Sequence, residues 1–235
     1  MQASHTLNTD PAPDALSIHR VPAGRGLAWL ASGWADFRRN MAPLAVLGIT
    51  LLLVSWLLVG SKGGFISVII SIIYLGVAAA YCRMGDRGEV FLAGSGTWRN
   101  PALWALAVVA GMASVAMVGV VALAAVAGFS TGVRPGAPVG LGWFYFFGAA
   151  QVLITLLVST IWMAPALVVN KGAGVVQALR LSVVGSLRNP LAFLTVLVLG
   201  FVLVVVASIP LGLGLVVALP MLACAAARAA DEIVA

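Results

Sequence analysis

Charge is what this chain has least of. Only seven Asp and Glu and 13 Lys and Arg occur among 235 residues, 9% charged against 62% hydrophobic, where a soluble domain is about 25% charged and about 45–50% apolar. That balance excludes a soluble globular domain. Histidine is just as scarce: His5 and His19 both precede the first apolar run. Cys82 and Cys224 are the only cysteines, too few for a disulfide framework, and they have no histidine or carboxylate companions at metal-ligand spacing. Free thiols, no metal and no cofactor are therefore expected. The net charge of +6 does not point to nucleic acid, because the cations are strung between apolar spans and not gathered on one soluble face.

What is there is apolar and continuous. Five stretches lack Asp, Glu, Lys and Arg altogether: Asn40 to Ser61, Gly63 to Cys82, Asn100 to Val133, Pro135 to Asn170 and Asn189 to Ala227. Each reaches the roughly 20 residues a helix needs to cross a ~30 Å hydrocarbon core. The last, at 39 residues, would make a single helix of about 58 Å, so Pro210 and Gly212 are expected to divide it. The spacing predicts six spans, about 41–60, 64–82, 101–128, 141–169, 190–208 and 211–227. Pro165 and Pro220 should kink the fourth and sixth. Residues 1–22 read as a mobile cytoplasmic tail with no secretory apolar segment, and 23–235 as one transmembrane domain.

Cytoplasmic loops retain Lys and Arg. With both termini inside, 11 of these residues face the cytoplasm, and Lys62 and Arg134 alone lie outside. An internal repeat reinforces the pattern, since Arg39-Asn40, Arg99-Asn100-Pro101 and Arg188-Asn189-Pro190 each stand before an odd-numbered span. Asn is a favoured N-cap and Pro suits the first helical position, while the preceding Arg can keep its guanidinium among headgroups. The expected fold is thus an all-α polytopic bundle of three parallel two-helix repeats. Upstream of two junctions lie amphipathic candidates for interfacial helices. One carries the stripe Leu27, Leu30, Trp34 and Phe37, with Asp36 off it; the other carries Val175, Leu179, Ser182 and Ser186. Gly94 and Gly96 weaken the equivalent middle segment.

Catalysis needs positioned acids, bases or nucleophiles, and no Asp, Glu, Lys, Arg or His falls inside a predicted span. Ser and Thr within spans usually bond back to their own helix or a neighbour. Gln151, Thr155 and Ser159 stand apart, because their i, i+4, i+8 spacing makes them a candidate polar crevice on one helix face. Small residues four apart, Ala107/Gly111, Ala223/Ala227 and Ala226/Ala230, allow close helix packing within the bundle or against a second copy.

At Trp162-Met163-Ala164-Pro165-Ala166-Leu167-Val168, followed by Ala178-Leu179, Ser182 and Arg188-Asn189, the chain resembles a family of six-span proteobacterial inner-membrane proteins of unestablished function. Val21 to Gly26, Trp34, Phe37 to Asn40, and Cys82-Arg83 with Asp86 to Glu89 extend that resemblance. It implies a multi-pass bacterial inner-membrane location and brings no activity or catalytic residues. The expected function is that of a non-catalytic accessory, scaffold or assembly subunit whose partners are the lipid bilayer and other membrane subunits or copies of itself. The alternative is a permease or lipid-handling protein for an apolar or amphiphilic small molecule, not ion-coupled.

Overall fold

The computed structural model describes residues 16–59, 64–87, 96–132 and 159–234. Every regular element among them is helical: α1 (Arg25–Arg39), α2 (Met41–Val59), α3 (Gly64–Arg87), α4 (Pro101–Gly132), α5 (Ala164–Lys171), α6 (Val175–Arg188), α7 (Pro190–Ser208) and α8 (Leu215–Ile233). Among the described residues, three helices contain segments long and apolar enough to cross a membrane, Met41–Leu58, Ile66–Arg83 and Pro190–Ser208, and Pro101–Met117 is a shorter apolar segment. The chain is a helical membrane protein by this measure.

Burial separates the spans by role. Half of the α3 segment is buried, against 17% in α2 and 22% in α7. The outer faces of α2 and α7 expose Leu53, Trp56, Leu57, Leu194, Val198 and Phe201, which a bilayer would cover. In the interior, α3 contributes Ile73, Tyr74 and Val77 to Ala80, and α8 contributes Ala223 to Ala227, Ala229 and Ala230. The alanine run makes α8 thin, so α1, α2, α3, α5 and α7 all pack on it. Ala223, Ala226, Ala227 and Ala230, candidates for close packing in the sequence, are all buried inside the bundle. At Gly33 of α1 a Cβ would lie 2.6 Å from the Met221 carbonyl oxygen and 2.9 Å from the Ala225 nitrogen, so backbone meets backbone there and only glycine fits.

The hairpin expected at Pro210 forms as a turn over 209–214, with φ of 54° at Leu211 and 77° at Gly212. Glycine adopts that left-handed geometry without the Cβ clash. Because the turn takes up the residues after Pro210, the helix in the place of the sixth predicted span, α8, begins at Leu215 and runs on to Ile233, carrying Arg228, Asp231 and Glu232 into the helix. Pro220 is buried within it. Helices α3 and α4 likewise run past the ends expected for the second and third spans, to Arg87 and Gly132.

The fourth predicted span departs most. Its part from Leu141 to Val158, with Gln151 and Thr155, lies outside the described residues. Beyond it the chain turns at Thr160 to Met163 and restarts as α5. Pro165 starts that helix and does not kink a longer one, because a proline in the first turn has no helical hydrogen bond to lose.

Candidate functional site

The chemistry-bearing residues collect at one end of the bundle, where the last two turns of α8 meet α1, α3 and α5. Asp36 of α1 is almost wholly buried, and both its oxygens accept hydrogen bonds from Arg228, from Nε at 2.7 Å and Nη2 at 2.9 Å. Arg83 of α3 grips Asp231 with two guanidinium nitrogens, Nε at 3.0 Å and Nη2 closer still. Lys171 of α5 stands 3.8 Å from the same carboxylate, and Arg83 also donates to the Asn170 carbonyl at 3.3 Å. Arg25 and the Trp29 indole N–H both reach Glu232, at 2.6 and 2.7 Å.

These pairs span the sequence. Each joins a helix from the first or middle part of the chain to α8, in the paired geometry that makes arginine–carboxylate contacts directional. For Glu232, burial pushes its pKa up, but the hydrogen bonds from Arg25 and Trp29 and the Arg25 charge together hold it below the usual glutamate range. The same contact raises Arg25.

Next to this network, Cys82 of α3 and Cys224 of α8 are joined in a disulfide, with Cα atoms 5.5 Å apart. Free thiols were the expectation. Both stand near the inner ends of predicted spans two and six, at one membrane edge, where a pairing in space is conceivable; packing around the alanine-rich α8 is what makes α3 and α8 neighbours and joins them.

The amphipathic helix α1 forms, but its buried face shares only Leu30 and Phe37 with the predicted stripe. Trp29, Leu30, Gly33, Asp36 and Phe37 point inward, whereas Leu27 is 60% and Trp34 42% exposed. The rotation seats Asp36 on Arg228 and Trp29 on Glu232, and a carboxylate buried as Asp36 is needs such a partner. In α6, Ser182 and Ser186 are buried as the stripe suggested. The Ser182 hydroxyl donates to the Thr160 carbonyl at 2.8 Å and accepts the Met163 N–H at 3.2 Å, which satisfies the turn before α5. Of the middle segment, residues 96–99 form a 3₁₀ turn, and Gly94 lies outside the described residues.

All three Arg-Asn junctions separate helical elements, yet their asparagines do different work. Asn100 caps α4, its Oδ1 accepting the Ala102 and Leu103 N–H groups at 3.0 and 3.4 Å. Asn189 does not cap α7. Its Oδ1 accepts the Val21 N–H at 2.7 Å and its amide donates to the His19 and Gly185 carbonyls, so it ties the segment before α1 to the α6–α7 corner. Asn40 donates back to the Asp36 carbonyl at 3.4 Å. The difference arises because Pro101 opens α4 next to a short turn, whereas at Asn189 the backbone of 19–21 lies alongside and competes for the amide. Arg99 and Arg188 are exposed, as is Arg39, which lies 3.9 Å from Asp36; Pro101 and Pro190 occupy first helical turns.

The span hydroxyls behave as expected: Thr50, Ser71, Ser114, Thr195 and Ser208 each donate to the carbonyl four residues back. Ser159, the described member of the candidate polar crevice, lines a cavity of about 280 Å³ bounded by α3, α7, α8 and the 159–162 turn. Its walls are almost entirely apolar, with Phe193, Leu197, Phe201 and Val204 on one face of α7, Leu222 of α8 opposite, and Trp162 beside Ser159. The Trp162 indole N–H is buried with no acceptor among the described residues.

Sequence reasoning missed Asp36, Arg228, Arg83, Asp231 and Glu232 as a set. The available signal was scarcity, since in a chain with seven carboxylates each one next to an apolar span needs a partner. Compared with known proteins, the chain matches no family model, no curated protein and no solved structure.

Proposed function

We propose that the protein is a non-catalytic integral membrane protein acting as an accessory, scaffold or assembly subunit. The observation that carries this reading is the charged end. Asp36, Asp231 and Glu232 are all engaged in holding α1, α3 and α5 to α8, which makes that end a rigid frame. Arg20, Arg38, Arg99, Arg180 and Arg188 are left exposed around it, with no carboxylate partner among the described residues. A frame with an unbalanced cationic rim suits attachment to anionic headgroups and to acidic surfaces of other membrane subunits. Purified in mild detergent, the protein is expected to carry a stoichiometric protein partner in native mass spectrometry. A protein that is always monomeric and partner-free would sink this reading.

The architecture proposed with it is six spans in three parallel two-helix repeats, in a bacterial inner membrane, as in the family that the chain resembles. The Arg-Asn junctions before α2, α4 and α7 support the repeat, and the 11 to 2 division of Lys and Arg supports cytoplasmic termini. A reporter active only outside the cytoplasm is expected to give signal when fused at Lys62 and Arg134 and none at the C-terminus. Signal at the C-terminus would mean an odd number of spans.

A second reading, a lipid-handling protein or permease for an apolar or amphiphilic molecule without ion coupling, is favoured by one observation. This is the apolar cavity beside α7, on a helix whose neighbouring residues face outward.

A further inference from the structure

Asn189 does not do what its sequence setting suggests. Asn100, in the same Arg-Asn-Pro run, caps its helix, whereas Asn189, 4% exposed, turns to the segment before α1. Its Oδ1 accepts the Val21 N–H at 2.7 Å, and its Nδ2 donates to the His19 carbonyl at 3.1 Å and the Gly185 carbonyl at 3.0 Å. The first two bonds grip the backbone on both sides of Arg20, and the third anchors the amide to α6. Arg20 is thereby fixed against the α6–α7 corner, where Arg188 is the adjacent residue. Both arginines are exposed, so cations from opposite ends of the chain stand at one place.

Among the described residues no carboxylate offsets them. Glu232, which the His19–Ile233 backbone bond brings to the same side, is taken up by Arg25 and Trp29. Asp36 is held by Arg228, and Asp231 by Arg83 and Lys171. Directly beyond the corner the chemistry changes. Pro190 opens a segment apolar enough to cross a membrane, and on it Leu191, Leu194 and Val198 are 63%, 48% and 52% exposed. Their i, i+3, i+7 spacing puts them on one outward face. A cationic corner continued by an apolar strip is complementary to an anionic amphiphile, whereas an acidic protein surface would answer the arginines alone.

We propose that the α6–α7 corner is a binding site for one anionic phospholipid. Its phosphate sits between the Arg20 and Arg188 guanidiniums, and one acyl chain lies on the strip from Leu191 to Val198. Guanidinium matches phosphate oxygens in a paired, directional geometry, and an anion between two like charges replaces their repulsion with attraction. The proposal deepens the reading of the cationic rim as an attachment to anionic headgroups, and it rests on α7 crossing the bilayer with Pro190 at headgroup level. Asn189 is a positioning residue here: it carries no charge and places Arg20.

The test uses the full-length protein in detergent and two probes of equal acyl chains, anionic phosphatidylglycerol and zwitterionic phosphatidylcholine. Native mass spectrometry is expected to show one phosphatidylglycerol retained per chain, about twentyfold better than phosphatidylcholine, with Arg20→Gln and Arg188→Gln each lowering that preference about fivefold. Arg180→Gln removes the same charge about 12 Å back along α6, beyond the Debye length at physiological salt, and should cost less than about twofold. Asn189→Ala alters no charge but frees Arg20, and should lower the preference as much as Arg20→Gln does. Thermal midpoints report whether each variant is folded; should Asn189→Ala unfold, the comparison of Arg20→Gln with Arg180→Gln decides. Inorganic phosphate in excess should leave the lipid bound, since it has no chain for the α7 strip. Wild-type protein without a preference, equal losses in Arg20→Gln and Arg180→Gln, a folded Asn189→Ala that keeps the full preference, or displacement by inorganic phosphate would each overturn the site. A protein partner is counted in the same spectra, so its absence would sink the scaffold reading separately from the lipid site.

Discussion

Asp36→Ala is expected to lower stability by about 3 kcal/mol, at the lower end of what breaking a buried ion pair costs. The Asp36 side chain is 3% exposed and that of Arg228 33%, so the variant leaves a guanidinium partly buried without its counter-ion, while water can still reach one side of it. Arg39, 3.9 Å from the same carboxylate, is a second cation there and cannot stand in for it. Replacing both partners by apolar residues of similar volume, Asp36→Leu with Arg228→Met, should recover most of the stability, because no unpaired charge then remains. Unfolding in mixed detergent micelles measures both. Equal loss in the single and double variants would mean that the helices are held at this point by shape and not by charge. Loss below about 0.5 kcal/mol in Asp36→Ala, the size of an exposed pair, would mean that α1 does not seat on α8 as described.

Removing the Cys82–Cys224 disulfide is expected to cost about 2–4 kcal/mol. The bridge closes a loop of 142 residues, for which chain entropy in water would give about 5 kcal/mol. The helices between the cysteines stay in the bilayer when the tertiary fold is lost, and that shortens the effective loop. The double variant Cys82→Ala/Cys224→Ala, unfolded beside the wild type, measures the difference. Wild-type protein denatured without reductant should resist maleimide at both positions and react after reduction; reaction at both without reductant would show that the pair is not joined. Cys82 is 3% and Cys224 0% exposed, and an attacking thiolate needs access to sulfur. In the proposed orientation the bond lies toward the cytoplasm, where soluble thiols keep most cysteines reduced, and its burial between α3 and α8 is what protects it.

The membrane character, the extent of α7 from Pro190 to Ser208 and the break near Pro210 were legible in the sequence because each depends on local content. An apolar run needs no partner to be recognised, and proline and glycine act on their own backbone. The amphipathic helices α1 and α6 were legible as helices for the same reason. The inward face of α1 was not. Hydrophobic periodicity weighs Leu27 and Trp34 as core and Asp36 as surface, and it cannot count the Arg228 guanidinium 192 residues away that makes burying Asp36 affordable.

The same limit applies at the junctions. Asn100 follows the local capping rule because the helix it opens is its nearest hydrogen-bond partner. Asn189 carries the same local sequence, yet it turns to the backbone at His19 and Val21, a segment 168 to 170 residues earlier. Pro165 likewise reads as a kink within a long apolar run and stands instead in the first turn of α5, behind a turn that Ser182, from the next helix, holds through the Met163 N–H. By itself the sequence determined the helical class and the apolar extents of α2, α3 and α7, since these follow from hydropathy and backbone rules that act within a few residues. Tertiary structure alone decided which side chains meet: the clamp of Arg83, Asp231, Asp36 and Arg228, the cysteine pair, and the groove beside Trp162. Those contacts join residues far apart in sequence, and they exist because the small side chains of α8 let five other helices approach it closely.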